Sequence, residues 1–261
     1  MRRAAIAGLV TIAALASGCP HPVGDDGGPT TDAPAPTRCG DGHERIADLS
    51  FVPRTAVLVG RIDLGAADLD AALVRMRDHV AQPETGLPVR AAFALGQWHW
   101  EVPLVRDTLA RQGLATGELV ALALDDALGG WIVPLGCAHA DAIAAVRAHG
   151  WSVEDSGVVA IAAAVPERTA WDLVIGPGPL AVLAPAGRGR ELAARLGSGA
   201  DPTQIGAPTP GERLAAVATA PVRVVVIGRG FTMGDATTTS DARALRASPA
   251  EVEDVRLADA P

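Results

Sequence analysis

Tyrosine and lysine are both missing from the 261 residues, and the aromatic complement is five Trp and three Phe. A core must therefore be built of Val, Leu, Ile and many Ala, and stacking platforms for sugars or bases are scarce. Every basic residue is Arg, and the formal charge of −8 becomes −10 once Arg2 and Arg3 are removed. So acidic a chain, with no basic cluster, argues against nucleic acid or anionic lipid headgroups as partners. It also lacks a G-x-S-x-G elbow, an H-E-x-x-H helix, a Ser-x-x-Lys motif and any pair of ligands at zinc spacing. No metal or cofactor is expected.

The N-terminus carries more information. Arg2 and Arg3 form a basic n-region, residues 4–16 an apolar h-region, and small residues follow at Ser17 and Gly18, the layout of a secretory signal. The apolar run is too short to span a bilayer, which takes about 20 residues. Ala16-Ser17-Gly18-Cys19 resembles the lipobox of bacterial lipoproteins, with Leu15 one position earlier than the family usually has it. The resemblance implies that Cys19 receives a diacylglyceryl thioether, becomes the mature N-terminus and is then N-acylated, with palmitate-type chains. One chain holds a protein to a membrane only marginally, and several make attachment stable. Pro20, and no Asp, follows the cysteine, which by the enterobacterial sorting rule favours the outer membrane over the inner. The competing reading is cleavage after Ala14-Leu15-Ala16, which releases a soluble protein.

Residues 20–38 are dense in Pro, Gly, Asp and Thr and hold almost nothing that can be buried, the composition of a disordered stalk. The expected organisation is a signal peptide at 1–18, the lipidated Cys19 and stalk over 19–45, an α+β head over 46–230 and a weakly patterned segment at 231–261. Cys39 and Cys137 remain as an even pair in an oxidising compartment. A disulfide between them would pin the stalk to the head; two separate thiols, with Cys137 buried at a strand end, fit the sequence as well.

Within the head, 56–64 reads as a first strand after Pro53. Ala66, Leu69, Leu73, Met76 and Val80 recur on one helical face. Residues 87–112 are helical by composition, divided at Pro88 and Pro103, with Pro103 suited to the first turn of a helix ending near Gly113. A hairpin at 118–124 and 130–135, a helix at 138–149 stopped by Gly150, and strands at 151–154 and 158–165 follow. Strands at 171–175 and 180–183 flank a Gly-Pro-Gly-Pro turn, and a helix at 188–196 comes next. Thr209-Pro210-Gly211-Glu212 is a capping box opening a helix to about 219. Residues 222–227 form the most β-branched strand; beyond it, Ser248 caps a last helix or 252–257 is an edge strand. Hairpins interleaved with helices indicate an α+β fold with helices packed on a largely antiparallel sheet. The β-β-α-β run at 118–155 resembles half of a ferredoxin-like unit, which says nothing about activity.

Candidate chemistry is thin. Trp98-His99-Trp100-Glu101 gathers two indoles and an imidazole, a ligand-contacting patch if the segment is extended; on a helix they splay. Cys137, His139 and Asp141 alternate near a helix start, where successive members point about 200° apart, and read as polar helix-start residues. Val224 to Gly230 imitates a dinucleotide-binding strand and turn, but Gly234 is one residue late for G-x-G-x-x-G. Gly187-Arg188-Gly189 is a turn without the Lys-Ser/Thr of a P-loop. The expected protein is thus a lipid-anchored, non-catalytic binding or structural module of the cell envelope, contacting an envelope protein or a small ligand. The alternative is a lipid-anchored hydrolase built around His139 or His99.

Overall fold

The computed structural model describes residues 38–124, 128–165, 169–197, 209–227 and 242–257. Cys19, the residues read as signal and stalk up to 37, and the glycine-containing residues 228–230 lie outside them. The described residues form an antiparallel sheet of ten strands in the order β10-β9-β8-β1-β2-β3-β7-β6-β5-β4, so the chain is α+β with helices on a large antiparallel sheet. At its centre, β1 (Ala56–Asp63) lies between β2 (Glu118–Leu124) and β8 (Val222–Ile227). Between β1 and β2 the chain leaves the sheet to make α1 (Leu69–Val80) and α2 (Val89–Arg111). From β3 (Gly129–Pro134), α3 (His139–Ala148) carries the chain to the far edge. The chain then returns as a meander through β4 (Val153–Asp155), β5 (Ala160–Ala162), β6 (Trp171–Ile175) and β7 (Leu180–Pro185). The 118–155 run is therefore opened out: β7, β6 and β5 stand between β3 and β4.

Both faces of the sheet are covered, because side chains alternate along each strand. Leu119, Ala121, Trp131 and Val133 face α1, α2 and α3. Val120, Leu122, Leu124 and Ile132 face the opposite layer, made by residues 46–52, α4 (Gly189–Gly197) and α5 (Pro210–Ala215). The α1 residues Leu69, Leu73, Met76 and Val80 are all buried, as their spacing predicts. At α5 both halves of the capping box form, Thr209 Oγ1 accepting from the Glu212 N–H and Glu212 accepting from the Thr209 N–H.

Three expectations change. Pro103 does not start a helix; it lies inside the 23-residue α2. An internal proline costs roughly 3 kcal/mol, and burial of Leu95, Trp98, Val102, Val105 and Leu109 on both sides of it outweighs that. The segment after 230, weakly patterned in sequence, forms strands where described: β9 (Ala242–Ala247) and β10 (Val252–Leu257) make a hairpin that extends the sheet, with 252–257 as its edge strand. Ser248 closes its turn, its N–H donating to the Glu251 carbonyl, rather than capping a helix. The Ala- and Arg-rich β9 has poor β propensity, but the β8 edge offers backbone partners along its length, and Arg243–Asp254 and Arg246–Glu253 pairs tie β9 to β10. The head begins earlier than 46, since Cys39 is buried, forms a bridge with Leu114 and donates its N–H to the Gly113 carbonyl.

Candidate functional site

A buried ion pair fixes the layer beneath residue 46. Arg61 binds Glu118 bidentately through one guanidinium edge, Nε to Oε1 at 2.6 Å and Nη2 to Oε2 at 2.9 Å. Arg61 also donates to the Ile46 carbonyl, and Glu118 accepts from the Ile46 N–H at 2.8 Å. These groups satisfy one another and hold the incoming chain to β1 and β2. The cavity of about 400 Å³ beside them involves Glu44 and Arg45, whose polar atoms are committed: Glu44 accepts the Asp41 and Gly42 N–H groups, and Arg45 donates to Asp63. A groove of about 260 Å³ on the same side of the sheet is apolar, between Phe51, Val174, Val182 and Leu196.

The more distinctive cavity lies between α2 and the β2–β3 hairpin. It has a volume of about 230 Å³, and Trp98, Trp131, Trp171, Gln97 and Glu101 line it with the backbone of Gly129 and Gly130. The Trp98 and Trp131 ring centroids are 5.7 Å apart at a 56° tilt, within the range of attractive aromatic pairs. Trp98 reaches this position because β1 has no side chain at Gly60, where a Cβ would lie 2.3 Å from the indole Cη2. Burial pushes the Glu101 carboxyl above its ordinary value of 4.5, since removal from water penalises the charged form. The Trp171 indole N–H is buried without a hydrogen-bond partner. The Glu101 carboxyl, short of solvation, and the Trp171 ring thus share an aromatic-walled cleft that has no basic side chain among the described residues lining it.

The Trp98, His99, Trp100 cluster is not one patch. On α2, residues one position apart diverge by about 100°, so Trp98 is buried and Trp100 is turned to solvent. The His99 ring shares a hydrogen bond with the Gly96 carbonyl. What pairs with Trp98 instead is Glu101, three residues on, together with two indoles from β3 and β6 that no local pattern connects to it. Cys39 and Cys137 are joined by a disulfide with a Cα–Cα separation of 5.5 Å. His139, two residues on, bonds through Nδ1 to the Gly176 carbonyl at 2.7 Å. Among the described residues no three His, Cys, Asp or Glu side chains gather as a metal would need. The Gly187-Arg188-Gly189 turn already holds an anion of its own: Asp172 accepts the Gly187 N–H at 2.7 Å and the Gly189 N–H at 3.3 Å.

No family model and no curated protein matches this chain. Two solved structures, crystal forms III and I of TP0453, are each similar to it at 13% identity and a TM-score of 0.39, over 78% of this chain and 76% and 75% of theirs.

Proposed function

We propose that this chain is a lipid-anchored cell-envelope protein, held at the outer membrane through acylated Cys19, whose head is a non-catalytic binding module for a small ligand. The lipobox-like residues Ala16 to Cys19 support the anchor. The Cys39–Cys137 disulfide supports an oxidising compartment. The observation that carries the binding role is the cleft beneath α2, which three indoles and two glycines line together with Glu101, the one carboxylate among its described residues. Apolar walls with a few placed polar groups are the usual make-up of a ligand site. A carboxylate among indoles favours an organic amine, which gains an ion partner and cation–π contact together. The alternative hydrolase would need His99 or His139 beside a nucleophile, and neither histidine lines this cleft.

Two measurements test the two halves. Intact mass and palmitate labelling of the mature chain should find acyl chains on Cys19 that Cys19→Ala lacks; an unacylated wild-type N-terminus would remove the anchor. Titration of the tryptophan emission with benzylamine, benzyl alcohol and benzoate should rank them in that order, and absence of saturable change with all three would remove the cleft as a binding site.

A further inference from the structure

Helix α2 has two apolar faces. Ala91, Leu95, Trp98, Val102, Val105 and Leu109 make the buried one. On the opposite side Val89 is 83% exposed, Phe93 68%, Trp100 48% and Leu104 40%. At 100° per residue these four fall within an arc of about 60° and span about 22 Å along the axis. Scattered exposed apolar residues are ordinary, but a contiguous stripe including Phe and Trp marks a surface that something covers. Gly96 and Pro103 continue the same side without a charge, which first appears at Asp107.

We propose that this stripe lies on the surface of a phospholipid bilayer, with α2 parallel to the membrane plane, and this rests on the anchor reading above. Where the tether joins the head argues for that occupant. Cys39 donates to the Gly113 carbonyl and bridges Leu114, immediately past the C-terminal end of α2. The Cys39–Cys137 disulfide locks it there. Nineteen residues lie between Cys19 and Cys39, a length of chain that spans at most about 70 Å, and the C-terminal end of α2 lies beside Cys39. A second copy of the chain is the weaker candidate: four side chains on one helix expose on the order of a few hundred Å², against about 800 Å² per partner in a standard stable interface. Trp and Phe on one side of a helix are the residues that enter the headgroup boundary. The chain's acidity makes this a hydrophobic contact with zwitterionic lipid, insensitive to salt.

The test uses the full mature protein reconstituted in phosphatidylcholine vesicles, with and without lipid brominated on the upper acyl chain. Flotation and the mass of Cys19 report the anchor, and bromine quenching of tryptophan emission reports the stripe. Trp100 is the most exposed tryptophan of α2, so quenching should be present in the wild type and largely lost in Trp100→Phe, which keeps the stripe apolar. Phe93→Asp should lift the helix and abolish quenching while flotation persists and the melting curve is unchanged. Flotation with acylated Cys19 but equal emission in both lipids overturns the proposal and leaves the anchor standing. The same emission together with a crosslinked dimer through α2 assigns the stripe to a second copy. A protein that neither floats nor carries acyl chains removes the anchor, and this proposal with it.

Discussion

Glu101 is a residue whose ionisation the fold opposes. Its folded carboxyl titrates above the ordinary value because of burial, so the folded state binds the proton more tightly than the unfolded chain does. The resulting penalty is absent below the ordinary carboxylate range, grows as pH rises through it, and is complete above the folded value. Glu101→Gln removes the penalty, so the melting temperature of the variant should gain on wild type as pH rises from about 4 and then level off. A difference that is flat with pH would show that the cleft does not desolvate this group. The identity of Glu101 was open to reading beside two tryptophans, but its environment was not: Trp131 and Trp171 come from strands 30 and 70 residues further along the chain. Asp172 teaches the same lesson, since its carboxylate fills the turn at Gly187 to Gly189, and a scan for phosphate-binding glycines has no means of seeing the side chain already seated there.

Among the elements, α2 depends on Gly60, a position of β1 that has no side chain. Gly60→Ala puts a methyl group 2.3 Å from the Trp98 ring, and overpacking of this kind costs about 1–3 kcal/mol. Urea unfolding should read that loss, with a change in near-UV circular dichroism as Trp98 is displaced. Gly178→Ala, where an added Cβ meets nothing within 4 Å, should stay within about 0.5 kcal/mol. Equal effects of the two would contradict the packing of Trp98 over β1. Elements with clear periodicity or punctuation, such as α1, β6, β8 and the capping box of α5, were legible along the chain. Pro103 misled because local propensity treats an internal proline as a boundary, whereas the apolar contacts on either side of it keep α2 continuous. Sequence placed Trp98 and Trp100 in one cluster, and the helical repeat sent one to the cleft and the other to the outer stripe.

For the whole molecule, the disulfide sets how firmly the chain at Cys39 is held to the sheet and helices. Its two cysteines are 98 residues apart, and closing a loop of that length stabilises by about 4 to 5 kcal/mol if chain entropy dominates. Cys137→Ser should lose an amount of that order in chemical unfolding, and a reductant should bring the wild type to the same midpoint while leaving the variant unmoved. A variant as stable as wild type would place the constraint elsewhere. The bond joins the chain beside Leu114 to Cys137, two residues before α3.

Composition and short-range pattern by themselves determined an Ala- and Val-rich core, a mixed α+β chain, hairpins joined by glycine and proline turns, and an N-terminus that resembles an exported lipoprotein's. Those properties follow from the periods of 2.0 and 3.6 residues and from turn chemistry, which act within a few positions. Only the tertiary structure decided the order of ten strands, the capture of β9 and β10 by an open edge, the pairing of Cys39 with Cys137 and the meeting of three indoles with Glu101. Each of these joins residues tens of positions apart, and they are brought together by burial of apolar surface, which is non-directional and leaves no mark in the local order of the chain.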